Sequence, residues 1–227
     1  MLVNLNPFQG TSQAGQTQTY PNAANWWEQA GASGALAVYQ PKGAASKNDS
    51  YTDLSGNGND ALKTIEPSWD ATNGWTFNGS TQYISTGVSV DTSDSDVTLL
   101  IQFTGATTTS ASITGIYGGA TNRRLQLGPK SGTPTNTFFG NGSLLLVSGE
   151  TPNGNLAIGG LRAYIDGVFQ NSIASGLTSS LTLYIGCSNN NGTPGNYSNG
   201  SVQAFALYDN FIGTPVIYEV ARRMAAL

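Results

Sequence analysis

The chain has 227 residues, of which only 10% are charged, with a formal net charge of −4 and no histidine. The length fits one large β domain, and without a basic stripe to neutralise phosphates the chain is not a nucleic-acid binder. The missing histidine excludes Ser-His-Asp and Cys-His catalysis, histidine zinc sites and imidazole proton shuttles, while the single cysteine, Cys187, excludes an internal disulfide and a thiolate metal cluster.

Residues 1–33 are rich in Gln, Asn, Thr, Gly and Ala, with aromatic anchors at Phe8, Tyr20, Trp26 and Trp27. Such a segment buries too little apolar surface to order itself, so it reads as an arm that docks on something else through those four residues. Trp26 and Trp27 have an equal alternative, folding back on the body of the same chain. Residues 34–227 read as one sandwich. Its first strand is Ala35-Leu-Ala-Val-Tyr39, followed by a loop or single helical turn from Pro41 to Asp49. Asn-Gly pairs at Asn57-Gly58, Asn73-Gly74 and Asn78-Gly79 predict tight turns that use positive φ angles. Trp75, Phe77 and Tyr83 alternate with small polar residues as on half-buried strands. Val97-Thr-Leu-Leu-Ile-Gln-Phe103 is the strongest strand and belongs deep in the core.

Weaker strands follow at Ile113–Tyr117, Arg124–Leu127, Thr137–Phe139 and Ser143–Ser148, separated by Gly-, Pro- and Asn-bearing turns. Leu161-Arg-Ala-Tyr-Ile-Asp-Gly-Val-Phe169 predicts a hairpin turning at Asp166-Gly167. Cys187 ends the apolar run Leu181–Gly186 and reads as a small buried hydrophobe. The last strand is Gly200–Tyr208, and a short helix follows, with Thr214 as its cap and Pro215 at its first position. No internal repeat is evident, which disfavours propellers and solenoids.

Two neighbouring segments, Tyr51-Thr-Asp-Leu-Ser-Gly-Asn-Gly-Asn-Asp60 and Gly74-Trp-Thr-Phe-Asn-Gly-Ser-Thr-Gln-Tyr83, resemble the opening hairpins of the laminin-G-like, concanavalin A-type jelly rolls. The Tyr164-Ile-Asp-Gly167 hairpin, the strand ending Leu183-Tyr-Ile-Gly186 and the returning strand to Tyr208 are similar to later elements of that family. The resemblance spans about residues 34–227, its middle third only in strand rhythm. It implies an all-β, two-sheet antiparallel jelly-roll sandwich, here with an N-terminal arm and a short C-terminal helix. The same sandwich carries lectins, glycanases, adhesins and structural modules, so the fold does not choose among them. Members often carry an acidic pair in the returning strand, where this chain has Gln203-Ala204.

The chemistry implied by the resemblance is sparse in this chain. Related glucanases place catalytic carboxylates on one strand as E-x-D-x-x-E, and glycoside hydrolysis needs two flanking carboxyl groups. Glutamate occurs at Glu28, Glu66, Glu150 and Glu219, none in such a pattern. No enzyme is expected. The legume-lectin metal site needs an acidic strand motif and a histidine, and both are missing. Calcium has two places to be considered. Asp53-Leu-Ser-Gly-Asn-Gly58 mimics half of a calcium loop but has Thr64 where a bidentate Glu is needed. Asp91, Asp94 and Asp96 cluster in what reads as a solvated loop. Turn chemistry is the commoner explanation for both; no cofactor is expected, with calcium as the alternative.

A sugar can bind through aromatic stacking and amide hydrogen bonds, and the loop Ser188–Asn199 supplies both kinds of group. Its glycan-binding candidates are Asn189, Asn190, Asn191, Asn196 and Tyr197. The sequons Asn78-Gly-Ser80 and Asn196-Tyr-Ser198 read as turn composition. No segment is apolar for long enough to span a bilayer, and Met1–Phe8 has neither the positive start nor the apolar stretch of a secretory signal. An extracellular type of fold without that signal points to release by lysis. The expectation is a non-enzymatic virion surface protein, such as a bacteriophage decoration or fibre component. Its arm would attach to a particle scaffold, its sandwich would face outward toward host-surface glycans, and homo-oligomerisation is open. The alternative is a free carbohydrate-binding module recognising a cell-surface polysaccharide, and the third is a glycan-cleaving enzyme.

Overall fold

The computed structural model describes residues 25–28, 31–91, 96–120, 123–132, 136–141, 143–174 and 180–227. Phe8, Tyr20 and Asp94 lie outside the described residues. In chain order the strands are β1 (Ala35–Tyr39), β2 (Leu62–Ile65), β3 (Ser68–Asp70), β4 (Gly74–Asn78), β5 (Tyr83–Asp91), β6 (Thr98–Thr104), β7 (Thr114–Tyr117), β8 (Arg124–Ser131) and β9 (Asn136–Asn141). Then come β10 (Ser143–Ser148), β11 (Gly154–Gly159), β12 (Arg162–Ile165), β13 (Val168–Ser172), β14 (Ser180–Ile185), β15 (Ser188–Asn190), β16 (Thr193–Gly195), β17 (Asn199–Tyr208) and helix α1 (Thr214–Met224).

They form the expected sandwich of two sheets. The eight-stranded sheet runs β13-β12-β11-β6-β17-β4-β3, with β1 also on β17; the nine-stranded sheet runs β10-β9-β8-β7-β14-β5-β2, with β15 and β16 attached. All ladders are antiparallel except a short parallel contact of β15 with β7. Strand β17 is long enough to hold β4 along its first half and β1 along its second. The returning strand therefore lies beside the first, as the resemblance implies.

Apolar residues from alternate strand positions fill the space between the sheets: Trp75, Phe77, Ile84, Ile101, Phe103, Ile116, Leu125, Leu127, Phe139 and Leu183 are among them. A second core covers the outer face of the eight-stranded sheet. There Val38, Leu100, Ala157, Tyr164, Ala206 and Tyr208 pack against Ile217, Val220 and Met224 of α1. Strand β6 is thus buried on both faces, which is why Thr98–Phe103 reads as a nearly continuous apolar run.

Trp26 and Trp27 complete this second core, at 1% and 6% exposure, with their rings edge to face at 5.5 Å. The Trp26 indole N–H donates to Gln40 Oε1 at 2.9 Å, and the Tyr208 hydroxyl donates to the Trp27 carbonyl at 3.0 Å. Of the two readings of these tryptophans, folding back on the chain's own body is the one observed. Large aromatic surface next to an apolar sheet face is buried at once when the segment can reach it.

Several local expectations change. At the three Asn-Gly pairs only Gly58, Gly74 and Gly79 have positive φ; the asparagines do not. Those asparagines act through their side chains, as when Asn78 Oδ1 accepts from the backbone N–H groups of Ser80 and Thr81 at 3.0 Å. Of the opening pair, β3 and β4 make a hairpin, whereas Asn78–Tyr83 carries the chain from one sheet to the other. Asp166-Gly167 is the two-residue hairpin turn expected, with φ of 50° and 76°. Thr214 does not cap α1. The N-cap is Gly213, and the Thr214 hydroxyl instead lies 2.9 Å from the Tyr164 hydroxyl, a buried polar group that needs a partner. Cys187 is fully buried, as read. No described helix is long and apolar enough to cross a membrane.

Candidate functional site

The Asp53 loop is built inward. Asp53 Oδ1 accepts from the backbone N–H groups of Val38 at 3.0 Å and Ser55 at 2.9 Å, and Oδ2 accepts from the Ser55 hydroxyl at 2.7 Å and Asn59 N–H at 3.0 Å. Asp60 Oδ1 accepts from Asp53 N–H at 2.8 Å. The Asn57 and Asn59 amides donate to carbonyls of Ala35 and Leu36. These side chains bind β1 to the loop, and a carboxylate surrounded by donors serves as an anchor for the backbone. No group of three or more metal-ligating side chains occurs among the described residues.

The outer face of the nine-stranded sheet is different, because no helix among the described residues covers it. Strand β8 alternates: Leu125 and Leu127 point into the core, so Arg124, Gln126 and Gly128 point out. Register brings Gly115 and Gly140 opposite Gln126 and Phe138 opposite Gly128. Each outward glycine is overlaid by a long neighbour: the Phe138 ring lies on Gly128, the Arg124 stem on Gly140 and the Gln126 stem on Gly115. A Cβ at Gly128 or Gly140 would collide with the side chain above it, and one at Gly115 with the Leu125 carbonyl as well as the Gln126 stem, so the absent side chains let the three lie flat on the sheet.

The result is a hollow of about 150 Å³ lined by Ser110, Arg124, Gln126, Ser131, Phe138, Leu144 and Asn196. Gln126 is 3% exposed and fixed, with Nε2 donating to Ser188 Oγ at 2.7 Å and Ser112 Oγ at 3.2 Å. The Arg124 guanidinium carbon sits 5.2 Å from the Tyr117 ring centroid, across the β7–β8 register. Partial burial pulls the Arg124 pKa below its usual value, with the Tyr117 hydroxyl working in the opposite direction. No Asp or Glu is among the lining residues.

The candidates from the Ser188–Asn199 loop divide. Asn196 lines the hollow, with φ of 53°, and its carbonyl accepts from Ser112 N–H at 2.8 Å. Tyr197 is partly exposed beside it and bridges Ser112. Asn190 pairs with Tyr117 in the sheet, its buried Oδ1 having no hydrogen-bond partner among the described residues. Asn189 is buried and committed to the fold: Nδ2 donates to the Thr182 carbonyl at 2.8 Å and Oδ1 accepts from Gly192 N–H at 2.7 Å. Asn191 is the exposed, left-handed tip of the β15–β16 hairpin. Sequence reasoning missed Arg124, Gln126, Phe138 and the glycines beneath them. Their signal is the polar-apolar alternation Arg124-Leu-Gln-Leu-Gly128, which marks a strand with one face outside the core.

The acidic groups offer no paired carboxylates here. Glu66 pairs with Lys47 at 2.6 Å, Glu150 with Lys130 at 2.8 Å, and Glu219 with Arg222 and Arg223 at 2.6 and 2.9 Å. Each glutamate just named is held by a cation.

No protein-family model matches the chain, and no curated protein matches it. Solved structures do match in fold. The chain is similar to domain 4 of AbnA, an extracellular GH43 arabinanase of Geobacillus stearothermophilus solved in complex with arabinotriose, at 13% identity and a TM-score of 0.54, covering 83% of this chain and 98% of that domain. It is also similar to Trypanosoma rangeli sialidase, solved with 2,3-difluorosialic acid, at 16% identity and a TM-score of 0.54, covering 85% of this chain but 33% of the sialidase. The chain therefore spans about a third of that enzyme. At these identities the likeness shows the sandwich fold.

Proposed function

We propose that the chain is a non-catalytic glycan-binding module whose binding surface is the hollow on the outer face of the nine-stranded sheet. The observation that carries this reading is the hollow's make-up. The Phe138 ring, 7% exposed, an amide at Asn196, a second amide locked by two serines and the two lining serines Ser110 and Ser131 converge over a glycine floor. Sugar rings are bound by such aromatic faces with fixed polar groups around them. Likeness in fold to a domain solved in complex with arabinotriose, matched over 98% of that domain, supports it. The lining has no carboxylate to act as acid, base or nucleophile, which supports binding without cleavage.

A glycan array followed by calorimetry tests the reading. Binding of at least one oligosaccharide is expected, and Asn196→Gly should weaken it about tenfold, corresponding to roughly 1.4 kcal/mol. This variant keeps the backbone, since glycine tolerates the positive φ that Asn196 adopts. An empty array, or an Asn196→Gly variant binding as well as wild type, would overturn it.

Display on a virion is the proposed setting, with residues 1–24, which carry Phe8 and Tyr20, as the attaching segment. Mass spectrometry of purified particles checks that setting. Particles without the chain would remove it while leaving the glycan site standing.

A further inference from the structure

We propose that the hollow selects acidic oligosaccharides, with Arg124 receiving a sugar carboxylate. The inference rests on the hollow being a glycan site and adds the class of glycan it takes. Arg124 is the one charged residue in the lining. None of the ion pairs among the described residues involves it, and its Nε is buried without a hydrogen-bond partner. Its stem lies on Gly140 and its guanidinium on Tyr117, so the side chain is held in place before any ligand arrives.

A guanidinium stays charged under all ordinary conditions, and partial burial costs it hydration without a counter-ion in return. An arriving anion supplies that counter-ion. With Nε turned into the protein, the terminal amino groups are the edge left for a ligand, and two parallel N–H donors match a carboxylate's two oxygens. The surrounding groups are neutral: Phe138 for a sugar face, Asn196, Ser110 and Ser131 for hydroxyls. A sugar ring bearing one carboxylate fits this distribution, since one position is cationic and the rest suit an uncharged ring. The chain's net charge of −4 provides no general attraction for polyanions, so any preference for acid must come from a local site.

The test uses the whole protein and calorimetry against trigalacturonate and its fully methyl-esterified form, which keeps the sugar backbone and replaces each carboxylate by an uncharged methyl ester. 3′-Sialyllactose against lactose is a second pair, distinguishing a terminal acidic sugar from a uronate chain. In at least one pair the acid is expected to bind about tenfold tighter than its neutral partner, as a charge-assisted hydrogen-bonded pair requires. The Arg124→Gln variant is expected to lose that difference, whatever its affinity for neutral sugar. Equal affinity of wild type for acid and neutral forms in both pairs overturns the proposal, and so does an acid preference that survives in Arg124→Gln. The wild-type comparison decides even where the variant does not fold. Binding of neutral arabino-oligosaccharides with none of the acids sinks this proposal and spares the glycan reading; binding of no saccharide sinks both.

Discussion

At the scale of single residues, the motif most characteristic of the sequence is a knot of hydrogen bonds. Asp53 is 7% exposed and accepts from four donors, three of them backbone N–H groups in Val38, Ser55 and Asn59. Replacing it by alanine leaves those N–H groups buried without acceptors, and the loop that fastens β1 loses its centre. Asp53→Ala should cost about 3 kcal/mol in urea-induced unfolding, since bonds to a charged acceptor contribute more than neutral ones. Asp53→Asn should be nearly as costly, because its amide NH₂ would point donors at donors. A denaturation midpoint within experimental error of wild type for both variants would show that water can replace the carboxylate. The residues that line the hollow were harder to see. Asn196 is an amide in a polar loop, whereas Gln126 and Arg124 belong to a weak strand segment with no chemistry of its own, and only the register of β7, β8 and β9 brings them over the glycines.

At the scale of elements, α1 shows why capping residues alone are an uncertain guide. Thr214 and Pro215 place the helix start to within one residue, but the threonine is the first helical residue, its hydroxyl is claimed by buried Tyr164, and Gly213 is the N-cap without a side-chain bond. The helix is held by its apolar face and by Glu219. Its carboxylate accepts from Arg222 Nε at 2.9 Å and Nη2 at 2.6 Å, and from Arg223 Nε at 2.9 Å. The hydrogen bond from Arg222 is the main cause that brings its pKa from the ordinary 4.5 down to about 2. A folded-state pKa below the unfolded one means stability that is complete above about pH 4.5 and lost as pH falls toward 2. The group is largely solvated, so the effect is small: the acid-induced drop in melting temperature across this window should be about 1–2 °C less in Glu219→Gln than in wild type. Identical pH profiles for the two proteins would contradict it. The segment bearing Trp26 makes a larger contribution. Its ring is 1% exposed against β1, β17 and the helix-side core, so Trp26→Ala should lose about 3 kcal/mol in chemical denaturation. A loss below about 0.5 kcal/mol, the range of surface substitutions, would place the ring outside the cooperative fold.

At the scale of the whole molecule, the two sheets have unequal surroundings, and that asymmetry was partly legible in the sequence. The near-continuous apolar run of β6 belongs to a sheet covered on both faces, while the alternation of β8 belongs to one covered on a single face. Each strand pattern fits the surroundings of its sheet, but sheet membership, strand order, the crossing at Asn78–Tyr83 and the β15–β16 hairpin depend on long-range pairing that no local pattern encodes. Cys187 sits where these parts meet, between β14 on one side and β15 on the other, fully buried beside the open sheet's core. Burial pushes its thiol up to about 12, with a backbone hydrogen bond from Gly195 working weakly against the shift. A thiol that is both inaccessible and protonated at neutral pH does not react, because the thiolate is the nucleophile. Unfolding restores an ordinary, titratable cysteine, so labelling by a thiol reagent should be negligible in buffer and complete in denaturant. Its midpoint should coincide with that of tryptophan fluorescence, which reports Trp69 and Trp75 at the inter-sheet core and Trp26 and Trp27 in the helix-side core. Coincident midpoints mean that the sandwich and its helix-side layer open as one unit. Labelling that precedes the fluorescence change would mean that β14 and β15 part before the rest of the molecule, and with them Ser188, which holds the Gln126 amide of the hollow in place.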